Sequence, residues 1–258
     1  VPNIHIHAFS PLEIHHGAST LGHSIKNFLL LLKESGLNSM PGTAAEILDD
    51  RIRNRICPDK IDTKTWLEII ATAHEVGINT TSTIMFGHQE NIGDWATHLM
   101  KIRDLQNTTG GITEFIPLPF VSMESPMYRR GQARPGPTFR EVLLMHAVSR
   151  LYLHPIIKNI QTSWVKLGKN AALSCLNAGA NDLGGTLMDE SISKSAGGIH
   201  GQEFYPREME SFIQDMKRIP VLRDTLYNPI NQTSLPNQSS LMLSDKIHSL
   251  VDSAYPVI

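Results

Sequence analysis

Residues 179–193 gather the side chains of this sequence that are best suited to hold a ligand. An apolar segment ends just before them, as a buried strand or helix would. The polar and glycine residues follow directly: Asn181, Asp182, Gly184 and Gly185. In proteins that alternate strands and helices, such loops present N–H groups and side chains above the end of a sheet. We therefore expect these residues to bind a ligand, with a plain turn as the alternative.

A second polar stretch, residues 159–168, combines an amide, hydroxyls and an indole. Gln161 can both donate and accept hydrogen bonds at the edge of a ligand ring. Trp164 offers a flat face for an aromatic ring, and packing in the core is the alternative. Ser163 lies between them and is a further candidate.

Residues 41–50 place small residues at a turn, followed by the carboxylate of Glu46 in the first turn of an expected helix. The structural interpretation is a helix start at which Glu46 complements the helix dipole. The functional interpretation is that the backbone near Thr43 approaches a ligand closely, while Glu46 accepts hydrogen bonds from its amine or hydroxyl groups.

Further candidates lie on or at the ends of expected strands. Ser82 belongs to a run of hydroxyls that alternate between the two faces of a strand. Glu114 is a carboxylate on an otherwise apolar strand, and its unpaired burial would be costly, so we expect a cation or hydrogen-bond donor beside it. The remaining candidate binding residues are His88, after a glycine at a strand end, and His7, Ser10 and Glu13 near the first strand.

The alternation of His5 and His7 points both side chains to the same side of a strand. Such a pair begins the zinc site of metal-dependent hydrolases, to which His88 and Asp182 could add ligands. Packing or mutual hydrogen bonding is the alternative for the pair. A metal-dependent hydrolase stays open at this point, as does a remnant that binds a ligand without catalysis.

The 258 residues are 41% hydrophobic and 19% charged with a formal net charge of -2, which gives no basic surface for nucleic acid. No apolar run is long enough to cross a bilayer, so we expect a soluble, intracellular protein with no membrane partner. The two cysteines, Cys57 and Cys175, are far apart. They form neither a disulfide framework nor a zinc motif.

Strand and helix patterns alternate about six times over residues 1–201, at intervals of about 25 to 45 residues that are typical of a βα barrel. This predicts an α/β fold, an incomplete barrel that lacks its first units, so the chain is expected to be a fragment. Expected helices are at 24–35, 45–56, 63–77 with Thr63 as N-cap, 95–106, 139–153 and 168–178. Expected strands are at 1–13, 37–40, 78–84, 113–120, 157–164 and 180–183. Residues 122–137 are expected to form a long loop, 202–227 a helical extension, and 228–258 a polar linker that could end in a helix.

Together, residues 41–50, 159–168 and 179–193 resemble blocks of the 7,8-didemethyl-8-hydroxy-5-deazariboflavin synthase family. Members of that family are radical S-adenosylmethionine (SAM) enzymes. The resemblance extends from Ile4 to Gly201, and the blocks fall in the family's order. It is to the half of the synthase that transfers the hydroxybenzyl group of tyrosine.

The resemblance implies a radical SAM barrel with a [4Fe-4S] cluster and SAM as cofactors. In that family a radical derived from SAM abstracts hydrogen from L-tyrosine, and the hydroxybenzyl fragment adds to 5-amino-6-(D-ribitylamino)uracil. A ring-closing radical SAM half, fused or separate, is the implied partner. The cluster needs three cysteines in a CxxxCxxC loop, which these residues lack. We therefore expect the cluster ligands to lie outside this chain and the chain alone to be inactive.

Overall fold

The computed structural model describes residues 4–187 and 189–230. Its centre is a parallel sheet of five strands in the order β1-β2-β3-β4-β5, so each strand pairs with its neighbours in the sequence. The strands are β1 Ile6–His7, β2 Leu37–Met40, β3 Asn79–Phe86, β4 Ile112–Pro119 and β5 Asn159–Ile160. An isolated parallel bridge between Gln161 and Asp182 extends the pairing beyond β5.

Helices connect the strands, as parallel pairing requires. They are α1 Pro11–Leu21, α2 Ile25–Glu34, α3 Asp50–Ile56, α4 Thr63–Glu75, α5 Ile92–Thr109, α6 Pro126–Arg129, α7 Phe139–Leu153, α8 Trp164–Leu167, α9 Lys169–Asn177, α10 Ile192–Ser195 and α11 Pro206–Asp215. Buried apolar residues of α4, α5, α7 and α9 form one core with those of the sheet. The expected α/β class is confirmed.

The chain divides into two compact units, Val1–Arg218 and Ile219–Ile258. The first contains the sheet and all the helices named above. In the second, the described residues include an antiparallel bridge between Arg223 and Pro229. The helix expected near the end of residues 228–258 falls outside the described residues.

The sheet has an apolar face under the helices and a polar face opposite. Phe115 of β4 is fully buried, and its ring lies 6.2 Å from that of His98 on α5. Ser82 pairs with Phe115 and therefore lies on the same, helix-covered face. Because side chains alternate along a strand, Thr81 and its partner Glu114 lie on the other face. We call this second face, opposite α4, α5 and α7, the open face.

Helix α1 was not expected from the sequence, where Ser10 was interpreted as the end of a long first strand. Ser10 is instead the N-cap of α1, and Pro11 is its first residue. The Ser10 hydroxyl accepts from the Glu13 N–H, while Glu13 Oε2 accepts from the Ser10 N–H at 2.7 Å. This reciprocal capping box satisfies two N–H groups that would otherwise lack partners, and it leaves a strand of only two residues, Ile6–His7.

The helix expected from residue 45 begins only at Asp50, because the Asp49 side chain caps it by accepting from the N–H groups of Arg51 and Ile52. Before this cap the backbone is left-handed, with φ 59° at Ala44 and 49° at Glu46. The placement of Glu46 in a first helical turn is therefore wrong. Left-handed non-glycine residues cost free energy and tend to occur at functional turns.

Other boundaries also differ from the sequence pattern. Asp62, not Thr63, caps α4 by accepting from the Thr65 N–H at 2.7 Å. The strand expected at 157–164 ends early because Trp164 begins α8, and the one expected at 180–183 is reduced to the bridge at Asp182. Strand β2 and helix α7 have their expected bounds.

Candidate functional site

Three separate chain segments meet on the open face beyond β4 and β5. Gln161 Nε2 donates to Glu114 Oε2 at 3.2 Å, although the two residues are far apart in sequence. Asp182 pairs with Gln161 through the parallel bridge, and its Oδ1 accepts from the Gly184 N–H at 2.6 Å. The structure thus brings together four of the residues expected to bind a ligand.

Gly184 makes this close arrangement possible. Its φ is 78°, and a Cβ there would lie 2.9 Å from Gln161 Nε2. A side chain would therefore displace the amide that contacts Glu114. Glu114 is fully buried, so Gln161 supplies the hydrogen-bond donor that a buried carboxylate was expected to need.

The turn after β2 is fixed to the open face by its backbone. The Gly42 N–H donates to Thr81 Oγ1 at 3.0 Å, and Thr83 Oγ1 donates to the Gly42 carbonyl at 2.9 Å. A Cβ at Gly42 would lie 2.1 Å from the Thr81 carbonyl oxygen. Of the expected residues in this turn, Thr43 contributes its carbonyl to Trp66 Nε1 at 3.3 Å, and its side chain is exposed.

Arg53 of α3 donates hydrogen bonds to the backbone of the same turn. It was not among the residues expected from the sequence. Its side chain is buried, and its Nε and Nη2 donate to the Ile61 carbonyl at 3.1 and 2.5 Å. Its Nη1 donates to the carbonyls of Ala45 and, at 3.4 Å, Ala44. A planar guanidinium with several donors suits this set of carbonyls. An arginine among the apolar positions of a short helix was the signal available in the sequence.

Glu46 lies in this turn, and its carboxylate forms an ion pair with a lysine. Its Oε1 lies 2.8 Å from Lys60 Nζ, and its side chain is 18% exposed. A partly exposed carboxylate at a strained turn is accessible to a ligand amine or hydroxyl, which keeps the functional interpretation in place.

Three of the expected residues use their polar groups in contacts within the fold. Ser10 and Glu13 satisfy each other in the capping box of α1. His88 is buried: its Nε2 lies 3.0 Å from the Met85 carbonyl oxygen, and its Nδ1 lies 2.9 Å from Glu90 Oε2. These contacts give structural roles to all three residues.

The structure favours structural roles for two further expected residues, Ser82 and Trp164. Ser82 is on the helix-covered face, so the hydroxyls on the open face are those of Thr81 and Thr83. Trp164 is 2% exposed, and its ring packs against Phe204 at 5.5 Å. Its indole N–H donates to the Gly185 carbonyl at 3.2 Å. The structure therefore supports the packing interpretation of Trp164.

Asn181 and Ser163 differ in their contacts near the cluster formed by Glu114, Gln161, Asp182 and Gly184. Asn181 Oδ1 accepts from Arg150 Nη2 at 2.6 Å and from the Ile160 N–H at 2.9 Å, which ties α7 to the sheet. Ser163 precedes α8, and its side chain makes no capping hydrogen bond there.

His5 and His7 do point to the same side, but they converge on a hydroxyl. His5 Nε2 and His7 Nδ1 each lie 2.7 Å from Ser39 Oγ. Burial, and then the neighbouring His5, lower the pKa of His7. Within residues 4–187 and 189–230, no group of three or more His, Cys, Asp or Glu side chains is arranged to hold a metal ion. The hydrogen-bonded alternative therefore describes this pair.

An open groove of about 540 Å³ lies away from this cluster, between α1 and α2. It is lined by Phe9, Leu12, Glu13, His16, Gly17 and Phe28. Its walls are mainly apolar, and the Glu13 carboxylate is engaged in the capping box. The open face, where carboxylate, amide and hydroxyl groups converge, is the better candidate for chemistry.

Two family models together match most of the chain. The model described as "Radical SAM superfamily" matches residues 3–102, and the one described as "CofH/MqnC C-terminal region" matches residues 109–235. Residues 3–102 therefore belong to the radical SAM superfamily. The family resemblance inferred from the sequence is confirmed.

Similar radical SAM proteins carry names that agree with this membership. The chain is 50% identical over 229 residues to the 5-amino-6-(D-ribitylamino)uracil--L-tyrosine 4-hydroxyphenyl transferase of Methanopyrus kandleri. It is 52% identical over 225 residues to the protein of the same name from Methanocaldococcus jannaschii. These alignments cover 89% and 87% of this chain but only 62% and 63% of the relatives, so the chain spans less than two thirds of their length.

A longer relative and a solved structure extend the comparison. The FO synthase of Mycobacterium leprae is 49% identical over 227 residues, which cover 88% of this chain and 26% of that protein. The crystal structure of methylornithine synthase (PylB) matches with a TM-score of 0.58 at 16% identity, covering 76% of this chain and 56% of that one. The structural match supports an incomplete barrel of the radical SAM type. In the described part of the chain, no helix is long and apolar enough to cross a membrane.

Radical SAM membership implies a [4Fe-4S] cluster and SAM, and the residues present fit only one of these. The two cysteines, Cys57 and Cys175, are buried and on different elements. Burial raises the pKa of both thiols, that of Cys175 to about 11, which disfavours the thiolates that iron requires. These residues do not fit the cluster. The left-handed turn at Ala44 and Glu46, with its partly exposed carboxylate, does fit a ligand that carries an amine and hydroxyl groups.

Proposed function

We propose that this chain forms the substrate-binding part of a radical SAM transferase. The reaction moves the 4-hydroxybenzyl group of L-tyrosine onto 5-amino-6-(D-ribitylamino)uracil, in the biosynthesis of a deazaflavin. The observation that carries the proposal is the contact between Gln161 and Glu114 beside Asp182, in a chain about half identical to transferases of that name.

The chemistry of this cluster suits the uracil substrate. The ring edge offers an N–H donor and carbonyl acceptors, and the ribityl chain offers hydroxyls. Gln161 provides both a donor and an acceptor, while carboxylate oxygens accept from N–H and O–H groups. The role of these residues is to orient the acceptor carbon of the ring and to exclude water from the reacting atoms.

The turn at residues 42–46 is proposed to hold SAM. Gly42 fixes the turn against β3, and Glu46 would accept from the ligand amine. When bound, SAM supplies the hydrogen-abstracting radical that the family uses. In this proposal, the cysteine ligands of the cluster lie outside the 258 residues given. A ring-closing radical SAM half, fused as the greater length of the mycobacterial relative suggests or separate, is the proposed partner.

A chimera tests the proposal directly. The segment of the Methanocaldococcus jannaschii relative that precedes its aligned region is joined ahead of Val1, and the cluster is reconstituted without oxygen. With tyrosine, SAM and the aminouracil, we expect a product that carries the added hydroxybenzyl group by mass spectrometry. A chimera that cleaves SAM but forms no such adduct contradicts the proposed substrates.

Variants of the chimera test the cluster. Gln161→Ala should lower kcat/KM for the aminouracil about 10-fold or more, because a buried hydrogen bond to substrate is worth about 1–3 kcal/mol. The matched control is Gln214→Ala, which removes an exposed glutamine of α11. Equal activity of the two variants contradicts the role given to Gln161.

A further inference from the structure

Lys166 is a partly buried ammonium group at the border of the open face. It lies on α8, a few residues beyond Gln161 and Ser163. Its Nζ lies 3.2 Å from Ser193 Oγ, a residue that is itself buried. Within residues 4–187 and 189–230, no carboxylate oxygen lies within 4.0 Å of this nitrogen.

The two carboxylates that act on Lys166 are engaged with other groups. Burial lowers the pKa of Lys166, and the charges of Glu190 and Glu46 oppose that shift. Glu190 accepts from the Ser193 N–H through both oxygens, at 3.0 and 3.1 Å. Glu46 is paired with Lys60 at 2.8 Å. Lys166 is thus partly buried and, among the described residues, has no ion pair of its own.

A neighbouring lysine shows the contrast. Lys169, on the next helix, is 42% exposed and lies 3.1 Å from Glu208. An ammonium has three donors, and holding one in a low-dielectric region is costly unless an anion joins it. A buried cation left with a hydroxyl neighbour at the edge of a ligand site is therefore suited to receive an anion from the ligand.

We propose that Lys166 and Ser193 bind the α-carboxylate of an amino-acid ligand, which under the proposed function is L-tyrosine. The inference rests on that function for the identity of the ligand. The carboxylate oxygens would accept hydrogen bonds from the Lys166 ammonium group and from the Ser193 hydroxyl. SAM also carries an α-carboxylate, so the shared chemistry is an amino-acid carboxylate and the experiment distinguishes its source.

Binding to the full 258-residue chain tests this by calorimetry, without any need for turnover. Lys166→Met keeps the length of the side chain but removes its charge, and Lys169→Met is the matched control. We expect Lys166→Met to weaken L-tyrosine at least 10-fold while leaving tyramine, which lacks the carboxylate, unchanged. A second pair, S-adenosylhomocysteine and 5′-methylthioadenosine, applies the same comparison to the SAM site.

The outcomes separate cleanly. Loss confined to tyrosine assigns the carboxylate to tyrosine, and loss confined to S-adenosylhomocysteine assigns it to SAM; both support the site. Equal weakening of tyramine and tyrosine, or no change for either carboxylate ligand, overturns it, as does a chain that binds neither. Thermal unfolding of Lys166→Met checks that the variant is folded, and Lys166→Arg should retain part of the affinity. The proposed function fails separately, if the chimera cleaves SAM without forming the adduct.

Discussion

Gly42 and Thr81 lie so close that the backbone N–H of the first donates to the hydroxyl of the second at 3.0 Å, with no room for a Cβ between them. The contact fixes the turn after β2 against β3. It therefore also fixes the point at which the segment that carries Glu46 leaves the sheet.

Replacing Gly42 with alanine should be destabilising. The new Cβ would lie 2.1 Å from the Thr81 carbonyl oxygen, a backbone atom that cannot move without disturbing the sheet. We expect a loss of about 1–3 kcal/mol in the free energy of unfolding by urea, as for other overpacked sites. Gly185→Ala is the control, because nothing lies within 4 Å of a Cβ there. Similar losses in both variants contradict this account.

Arg53 should not be replaceable by lysine. Arg53→Lys keeps the charge but cannot reach Ile61, Ala45 and Ala44 with one planar group. The carbonyls left without a donor should cost about 1–3 kcal/mol each and speed amide hydrogen exchange in residues 43–48. Hydrogen exchange read by mass spectrometry measures this, with the exposed Arg55→Lys as control. Unchanged exchange in Arg53→Lys would show that the turn holds its shape alone.

His98 predicts a dependence of stability on pH. Burial lowers its pKa from 6.5 to about 3, and its Nδ1 accepts from the Leu48 N–H at 3.0 Å. Below pH 6.5 the unfolded chain binds a proton that the folded chain does not. Stability is therefore fully present above pH 6.5 and falls as the pH drops towards 3, by about 1.4 kcal/mol per pH unit from this residue.

The variant His98→Asn should remove that contribution from the dependence of the unfolding free energy on pH between pH 6.5 and 4.5. Asparagine can accept from the Leu48 N–H without titrating. Chemical unfolding at several pH values measures it. His23→Asn changes an exposed histidine and serves as the control. An equal change of slope in both variants would contradict the role of His98.

Glu90 should hold the long loop, residues 122–137, in place. Burial alone would raise its pKa, but hydrogen bonds from His88, Gly87 and Trp95 bring that pKa well below its ordinary value. Arg134 reaches Glu90 Oε1 at 3.8 Å, and its backbone N–H donates to the His88 carbonyl at 3.0 Å. The loop is thus anchored to the turn after β3 by a buried charge.

Glu90→Gln removes that charge and should loosen the loop. Arg134 would then keep only its pair with Glu141, whose Oε1 lies 2.7 Å from Arg134 Nη1. We expect trypsin to cleave after Arg129 or Arg130 several-fold faster, as measured by the rate of fragment appearance. Glu75→Gln, which removes an exposed pair with Lys26, is the control. Cleavage at the rate of the unsubstituted chain would show that the loop is held by other contacts.

Sequence patterns predicted elements well where hydrophobic spacing was regular, and less well where local capping decided the structure. Helix α7 and strand β2 have regular spacing and were placed correctly. At Ser10 the S-x-x-E pattern of a capping box was present, but Ser10 and Pro11 were interpreted only as the end of a strand and not as the start of a helix. Near Glu46 a helix was expected from residue 45, whereas the Asp49 side chain caps the helix, which therefore begins at Asp50.

The candidate site was predictable in part, for a similar reason. Asp182 and Gln161 stand out because polar groups and glycines follow strand ends, and Glu114 because a carboxylate interrupts an apolar strand. Their mutual contact depends on sheet register, which no local pattern contains. Arg53 was missed although its place among the apolar positions of a short helix was a signal, and Lys166 was not selected because its sequence surroundings do not distinguish a buried cation from a solvated one.

The strand order β1-β2-β3-β4-β5 has a consequence for how the chain assembles. Each strand finds its partner one crossover earlier in the sequence, so no described pairing has to wait for a segment synthesised much later. During translation the sheet can grow one βα unit at a time from a preformed edge. The contact of Gln161 with Glu114 belongs to the last of these additions, so the ligand cluster is completed only when nearly the whole described sheet has formed.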